Sequence, residues 1–206
     1  SIPSGVTIKW DGYYSRGDGG GNSGILKRGP HTEDNGLIFS IDSNTYIEAF
    51  KEDRINLAKF GLVDNNSARK VTALQFAMSI GGILELPRSV EVTIDSQIDI
   101  DQPFTLYGNG STLVDARFRY DSSGISGVHF KDITLKSNIT SGSFAPRALQ
   151  VYNISDVELH KVHFIDCNAR VGSNLVDTPV GLRVLNCQFD CDFSGFDYEV
   201  NQEDCL

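Results

Sequence analysis

Three octets decide the reading: Val128-His129-Phe130-Lys131-Asp132-Ile133-Thr134-Leu135, Val157-Glu158-Leu159-His160-Lys161-Val162-His163-Phe164 and Leu182-Arg183-Val184-Leu185-Asn186-Cys187-Gln188-Phe189. All fit [VL]-x-[FLV]-x-[DKN]-[IVC]-x-[LF], with separations of 29 and 25 residues. Phe104-Thr105-Leu106-Tyr107 opens in the same way 24 residues before the first copy. A repeat of 20–30 residues with almost no helix means a solenoid. These copies lack the L-x-x-L-x-L core of a leucine-rich repeat. Apolar residues alternate, then continue after a polar residue (Asp132, Lys161, Asn186), which suits two short strands meeting at a corner. That is one rung of a parallel β-helix, in which each strand pairs with its neighbours at about 4.8 Å. Like side chains then stack: Ile133 on Val162 on Cys187, and Leu135 on Phe164 on Phe189.

Upstream, Ala68 to Ile80 carries Val71, Leu74, Ala77 and Met78 at a helical period, after N-cap chemistry in Asn65-Asn66-Ser67. Gly81-Gly82 stops this helix, expected over about 67–80, and Ile83-Leu84-Glu85-Leu86-Pro87 opens the strand-rich remainder. The first rung of a β-helix would expose unpaired backbone groups and an apolar bore. A helix laid across that end covers them. Ile55 to Phe60 reads as one strand. The first fifty residues differ: short apolar bursts (Val6-Thr7-Ile8-Lys9-Trp10, Gly24-Ile25-Leu26, Leu37 to Ile41) surround the glycine cluster Gly17 to Gly24. They read as a small β module over 1–52, ahead of a β-helix region over 53–206.

Composition bounds the function. The 206 residues hold 18 Lys and Arg against 27 Asp and Glu, a net charge of −9. This argues against a general nucleic-acid binder, which needs a basic face, and against docking on anionic membranes. The longest uncharged stretch, Val71 to Leu84, is 14 residues, too short to cross a bilayer. The chain opens Ser-Ile-Pro-Ser-Gly, without a basic n-region, an apolar h-region or an initiator Met, so a processed product or a fragment is expected.

Several patterns carry no chemistry of their own. Gly17 to Gly24 lacks the G-K-[ST] of a phosphate loop and is expected to be a tight turn. The cysteines, Cys167, Cys187, Cys191 and Cys205, crowd into the last fifth without C-x-x-C spacing, so free thiols are expected. All four histidines, His31, His129, His160 and His163, are expected to face solvent, with His160 and His163, three apart on one strand, on opposite sides. The sequons at Asn65, Asn109, Asn138 and Asn153 read as turn and ladder groups. No cofactor and no metal is expected. Carboxylates are the serious candidates, because glycoside hydrolysis uses two carboxyls roughly 5 to 9.5 Å apart. Asp190 and Asp192 are i,i+2, about 7 Å apart on a strand face, and Asp166 joins them from the preceding rung. These residues do not suffice to name catalysts.

Three stretches together resemble bacteriophage tailspike proteins with a right-handed, pectate-lyase-like parallel β-helix. Ile55-Asn56-Leu57-Ala58-Lys59-Phe60-Gly61, Thr72-Ala73-Leu74-Gln75 and Gly81 to Pro87 are similar to that family's strand, capping helix and first rung. Arg69 and Lys70 depart from it, since the family's helix usually opens with acidic residues. Phe104 to Gly110 with Leu113-Val114-Asp115 looks like an early-rung turn. Trp10-Asp11-Gly12-Tyr13-Tyr14, the glycine cluster and His31 to Gly36 resemble a module that precedes many tailspike β-helices. The resemblance covers most of residues 5 to 190. It implies an all-β, single-stranded β-helix with an N-terminal capping helix. It implies a virion protein of the phage tail that attaches to host surface polysaccharide, as a homotrimer. Its N-terminal side would contact other tail or baseplate proteins, with no nucleic acid and no membrane insertion. The alternative function is a polysaccharide depolymerase, hydrolase or lyase, with its active site on the β-helix or beyond Leu206. A secreted pectate-lyase-like enzyme fits less well. Only four or five rungs fit, and Phe193 to Leu206 loses the repeat, so a longer natural chain is expected.

Overall fold

A computed structural model describes residues 3–13, 16, 20–34, 37–62, 67–120, 125–139, 147–152, 154–172 and 181–190. The first four strands, β1 (Thr7–Trp10), β2 (Asn22–Arg28), β3 (Ile38–Asp42) and β4 (Thr45–Ala49), form an antiparallel sheet in the order β1-β2-β4-β3. The β3–β4 turn is tied by the Asp42 carboxylate, which accepts from the Asn44 N–H at 2.8 Å. Trp10 and Tyr13 meet Phe39 edge-on at 5.4 and 5.9 Å, and Leu26 and Ala49 are buried. The glycine cluster is not one turn. Asn22-Ser23-Gly24 are the start of β2, while residues 17–19 lie outside the described residues. Gly24 is required there by close approach, since a Cβ would sit 2.4 Å from the Glu48 carbonyl oxygen across the pair.

The segment expected as one strand from Ile55 to Phe60 is also different. β5 (Arg54–Asn56) ends at Asn56, whose side chain accepts from the Ala58 N–H at 3.0 Å. That local bond competes with strand pairing and starts a 3-10 turn over Leu57–Phe60, which Gly61 closes at φ 87°. The single described helix, α1 (Ser67–Ile80), buries Ala73, Leu74, Ala77 and Met78. Asn65 and Asn66, read as its cap, lie outside the described residues.

The remaining strands are β6 (Gly82–Glu85), β7 (Glu91–Asp99), β8 (Phe104–Tyr120), β9 (Val128–Lys136), β10 (Arg147–Tyr152), β11 (Asp156–Ile165), β12 (Asn168–Gly172), β13 (Gly181–Leu185) and β14 (Gln188–Asp190). With β5 they make a ten-stranded sheet, and every pairing in it is parallel. The side-chain amide of Gln75 fastens α1 to this sheet. It donates to the Asp99 carbonyl and accepts from the Asp99 N–H, both at 2.9 Å, as a neighbouring strand would.

The repeat is written into the register. Ile55, Leu84, Leu106, Phe130, Leu159 and Val184 are successive partners, forming one column that is buried from Ile55 to Leu159 and exposed at Val184. Leu135 pairs with Phe164 and Phe164 with Phe189, whose rings stack parallel at 4.7 Å. Ile133 pairs with Val162, and Cys187 follows one residue before the Gln188–His163 pair, half-buried against the core. The expected stacks are therefore present. Burial pushes the Cys187 thiol up, and its Sγ lies 3.3 Å from the Leu159 carbonyl oxygen. Cys167 is a buried thiol that donates to the Leu135 carbonyl at 3.1 Å, whereas Cys191 and Cys205 lie outside the described residues.

The polar kink residues are left-handed corners: Asp132, Lys161 and Asn186 have φ of 53°, 55° and 54°. Register places them in one column with Asn109 (φ 53°). A second corner column holds Asp95, Asp115 and Asp166, at φ 48°, 57° and 53°. Short polar side chains tolerate this conformation best, which accounts for Asp and Asn at six of these seven corners. In the β8 rung, three residues, Gly108 to Gly110, stand opposite Asp132, and the inner slot passes to Ser111. Ser111 is fully buried, and its hydroxyl accepts from the Val90 N–H at 2.9 Å.

Candidate functional site

The unspecified x positions of the octet point outward. Register builds two columns from them on β5, β6, β8, β9, β11 and β13. One runs Arg54, Ile83, Thr105, His129, Glu158, Arg183; the other runs Asn56, Glu85, Tyr107, Lys131, His160, Leu185. Parallel pairing without offset brings unlike charges from successive rungs together. Arg54 meets Glu85 at 2.8 Å and lies over the Tyr107 ring, 5.5 Å from its centre. Glu158, only 8% exposed, accepts from Lys131 at 2.7 Å and from Arg183 at 3.0 Å. Arg183 also reaches Asp156 at 3.1 Å, and the other Asp156 oxygen lies 2.9 Å from His129 Nε2. Ionised Asp156 can only accept, so Nε2 carries the proton. His129 Nδ1 lies 3.2 Å from the Thr105 hydroxyl.

Both carboxyls are held ionised. The Lys131 hydrogen bond keeps Glu158 below its ordinary range against the opposing effect of burial, with Arg183 assisting. Partial burial raises Asp156, but His129 and Arg183 outweigh it and the net direction is downward. A carboxyl with a depressed folded value contributes stability above its unfolded value, and that contribution is lost as pH falls through the folded value. Thermal unfolding followed from neutral pH to about pH 2 should therefore show the melting temperature falling mainly below about pH 4. Lys131→Met should shrink that drop. A curve indifferent to the substitution would show that the pair does not contribute.

The carboxylates singled out from sequence lie elsewhere. Asp190 ends β14 on another face, where its Oδ2 is 2.7 Å from His163 Nε2 and accepts from Gln188 at 2.8 Å. The Gln188 bond, then His163, lowers Asp190. Asp166 is a corner residue, its N–H bonded to the Asp190 carbonyl at 2.8 Å, and Asp192 lies outside the described residues. His160 and His163 do not face opposite sides. Leu159 and Val162 are both buried, three apart rather than two, because left-handed Lys161 resets the alternation. Both histidines are therefore on the outside. His129 is not simply solvated but sits between Thr105 and Asp156, and His31 stacks on Tyr46 at 4.6 Å. Among the described residues no three His, Cys, Asp or Glu side chains gather as metal ligands, and no described helix is long and apolar enough to cross a membrane. Asp156, Glu158, Lys131, His129 and Arg183 were not singled out as a group by the sequence reading. For His129, Lys131, Glu158 and Arg183 the signal was in the x columns of the three octets, read down rather than along; Asp156 precedes its octet.

No family model matches the chain, and no curated protein matches it. Among solved structures it is similar to the full-length tailspike protein 2 (TSP2) of Escherichia coli O157:H7 bacteriophage CAB120. That match has 13% identity and a TM-score of 0.47, and covers 92% of this chain and 38% of that one. It is also similar to the tailspike protein gp49 of Acinetobacter baumannii bacteriophage Fri1, described as a capsular polysaccharide depolymerase. There the identity is 10% and the TM-score 0.37, over 95% of this chain and 62% of that one. The chain thus spans less than two thirds of the length of either tailspike.

Proposed function

We propose that the chain is part of a phage tail protein that attaches to the host cell by its surface polysaccharide, using the outer face of β8, β9, β11 and β13. The observation that carries this reading is the pair of outward columns. Donors, acceptors and the Tyr107 ring stand in register on a rigid sheet at the rung spacing, about 4.8 Å. A preorganised face of this kind suits a long, hydroxyl-rich polymer, because its side chains lose little freedom on binding. In this reading the parallel ladder closes into a right-handed β-helix over 53–206, with α1 across its first rung. Residues 1–52 form a separate, virion-proximal module that meets other tail proteins, and three chains assemble. The two corner columns, the helix-to-strand bond at Asp99 and the antiparallel first sheet support it.

Acid-assisted glycoside hydrolysis by the Asp156 and Glu158 pair is disfavoured. Glycoside hydrolysis needs one carboxyl kept protonated as the acid, and Asp156 and Glu158 are both shifted the other way. The test is binding of the 206-residue chain to a panel of purified bacterial capsular and lipopolysaccharide polymers, with light scattering on the same sample. Retention of at least one polymer and a mass of three chains are expected. Binding to none would overturn the attachment reading, and a stable one-chain mass would overturn the trimer.

A further inference from the structure

Three successive rungs bring a hydroxyl, an imidazole and a carboxylate into hydrogen-bonded contact on the outer face. Thr105 on β8 and His129 on β9 are register partners, and Asp156, the first residue of β11, reaches back to His129 from the next rung. The Asp156 carbonyl accepts from the Gly127 N–H at 3.1 Å, which fixes the backbone that carries the carboxylate. His129 Nδ1 is 3.2 Å from the Thr105 hydroxyl oxygen, and Nε2 is 2.9 Å from Asp156 Oδ2. The ionised carboxylate only accepts, so Nε2 carries the proton of the neutral ring and Nδ1 offers its lone pair to the Thr105 O–H. That is the proton order of a nucleophile, its general base and the carboxylate that orients the base. The ring is reversed relative to the Ser-His-Asp template, in which Nε2 faces the hydroxyl, but either nitrogen can take a proton. Thr105 and His129 are half-buried, and the Asp156 side chain is 39% exposed, so the array is open to a ligand on the surface.

Register alone does not make this array. On another face Thr134 and His163 are also partners, and His163 Nε2 meets Asp190 at 2.7 Å. There, among the described residues, no hydrogen bond joins Thr134 to His163. The surroundings of Thr105 suit an ester. Lys131 lies two residues along β9 from His129, and Arg183 holds the other Asp156 oxygen at 3.1 Å. An acyl oxygen that becomes negative during attack is stabilised by such charge. Charged neighbours favour a small acyl group over a long apolar chain. Ester cleavage also needs no protonated carboxyl, so the ionised state of Asp156 suits it where it opposes glycoside hydrolysis.

We propose that Thr105, His129 and Asp156 hydrolyse short acyl esters carried on the hydroxyls of the polysaccharide. Thr105 Oγ1 attacks the acyl carbon as its proton passes to His129 Nδ1. The bond from the acyl carbon to the sugar oxygen breaks, and that oxygen takes the proton. Water then attacks the acyl-threonine and gives a proton to Nδ1, which returns it to Thr105 as the Oγ1–carbon bond breaks and the acid leaves. Asp156 acts through the ring, as a positioning residue, and offsets its transient charge. The ester chemistry rests on these three side chains; its polymeric substrate rests on the attachment reading above.

The test uses the full chain with p-nitrophenyl acetate and with chemically O-acetylated forms of the polysaccharide panel, following nitrophenol and acetate release and polymer binding together. Hydrolysis of both substrates is expected. Thr105→Val and His129→Gln should each slow it at least about tenfold with an unchanged melting temperature. Thr105→Ser should restore most of the rate, Thr134→Val should leave it unchanged, and Asp156→Asn should lower kcat with KM little altered. Acid quenching during turnover should trap an acyl group on the peptide that contains Thr105. No hydrolysis of p-nitrophenyl acetate above buffer, or a Thr105→Val chain as active as the parent, would overturn the proposal, and polymer binding in the same sample would leave attachment standing. Small-ester hydrolysis that needs Thr105, with acetate released from no polymer, would overturn the polysaccharide as substrate. If no polymer were bound either, the attachment reading would fall with it.

Discussion

Phe164→Ala should lower the unfolding free energy by about 3–5 kcal/mol, the range for truncating a buried aromatic. Phe164 is fully buried, with Leu135 on one side in register and the Phe189 ring stacked on the other at 4.7 Å. Parallel, in-register pairing leaves neighbouring rungs little freedom to fill the hole, because closing it means shortening a hydrogen-bonded ladder already at its natural spacing. The lost ring pair adds to the transfer and cavity terms. Phe189→Ala should cost about half as much, since Phe189 is only half-buried. Denaturant unfolding at constant m-value measures both. A Phe164→Ala loss below about 1 kcal/mol would place that ring outside the core.

Glu158→Ala should cost about 1–3 kcal/mol, less than breaking a fully buried pair because the partners retain access to water. The side chain of Glu158 is 11% exposed, whereas those of Lys131 and Arg183 are 24% and 53% exposed. Removing the carboxylate leaves Lys131 and Arg183, from the rungs on either side of β11, without their shared anion. Glu158→Gln retains an acceptor and should recover part of the loss. A double-mutant cycle with Lys131→Met isolates the pair, and a coupling near zero would show that Glu158 acts through packing alone.

Much of the ladder was legible in the octets. Alternation around one polar residue identifies both inner columns, and Leu135, Phe164 and Phe189 meet as their shared template position requires. The helix was legible because Leu74, Ala77 and Met78 keep a helical period and Gly81-Gly82 end it. Two local readings failed for backbone reasons. Asn56 turned a strand into a 3-10 turn by accepting the Ala58 N–H with its own side chain, and Lys161, by adopting φ 55°, put both His160 and His163 on the outside.

The candidate site belongs to tertiary structure. Glu158 is 27 residues from Lys131 and 25 from Arg183 in the chain, and nothing local relates the three. The aligned octets place Glu158 between His129 and Arg183, but only the folded ladder brings Lys131 across from the neighbouring column to Glu158. The sequence by itself determined the repeat, the inward-facing residues and the polar corners, because these depend on short-range alternation and on the side chains that tolerate a left-handed backbone. Tertiary structure decided the ion-paired cluster around Glu158. It depends on which neighbouring rung each side chain reaches, and pairing at about 4.8 Å converts distant sequence positions into neighbours.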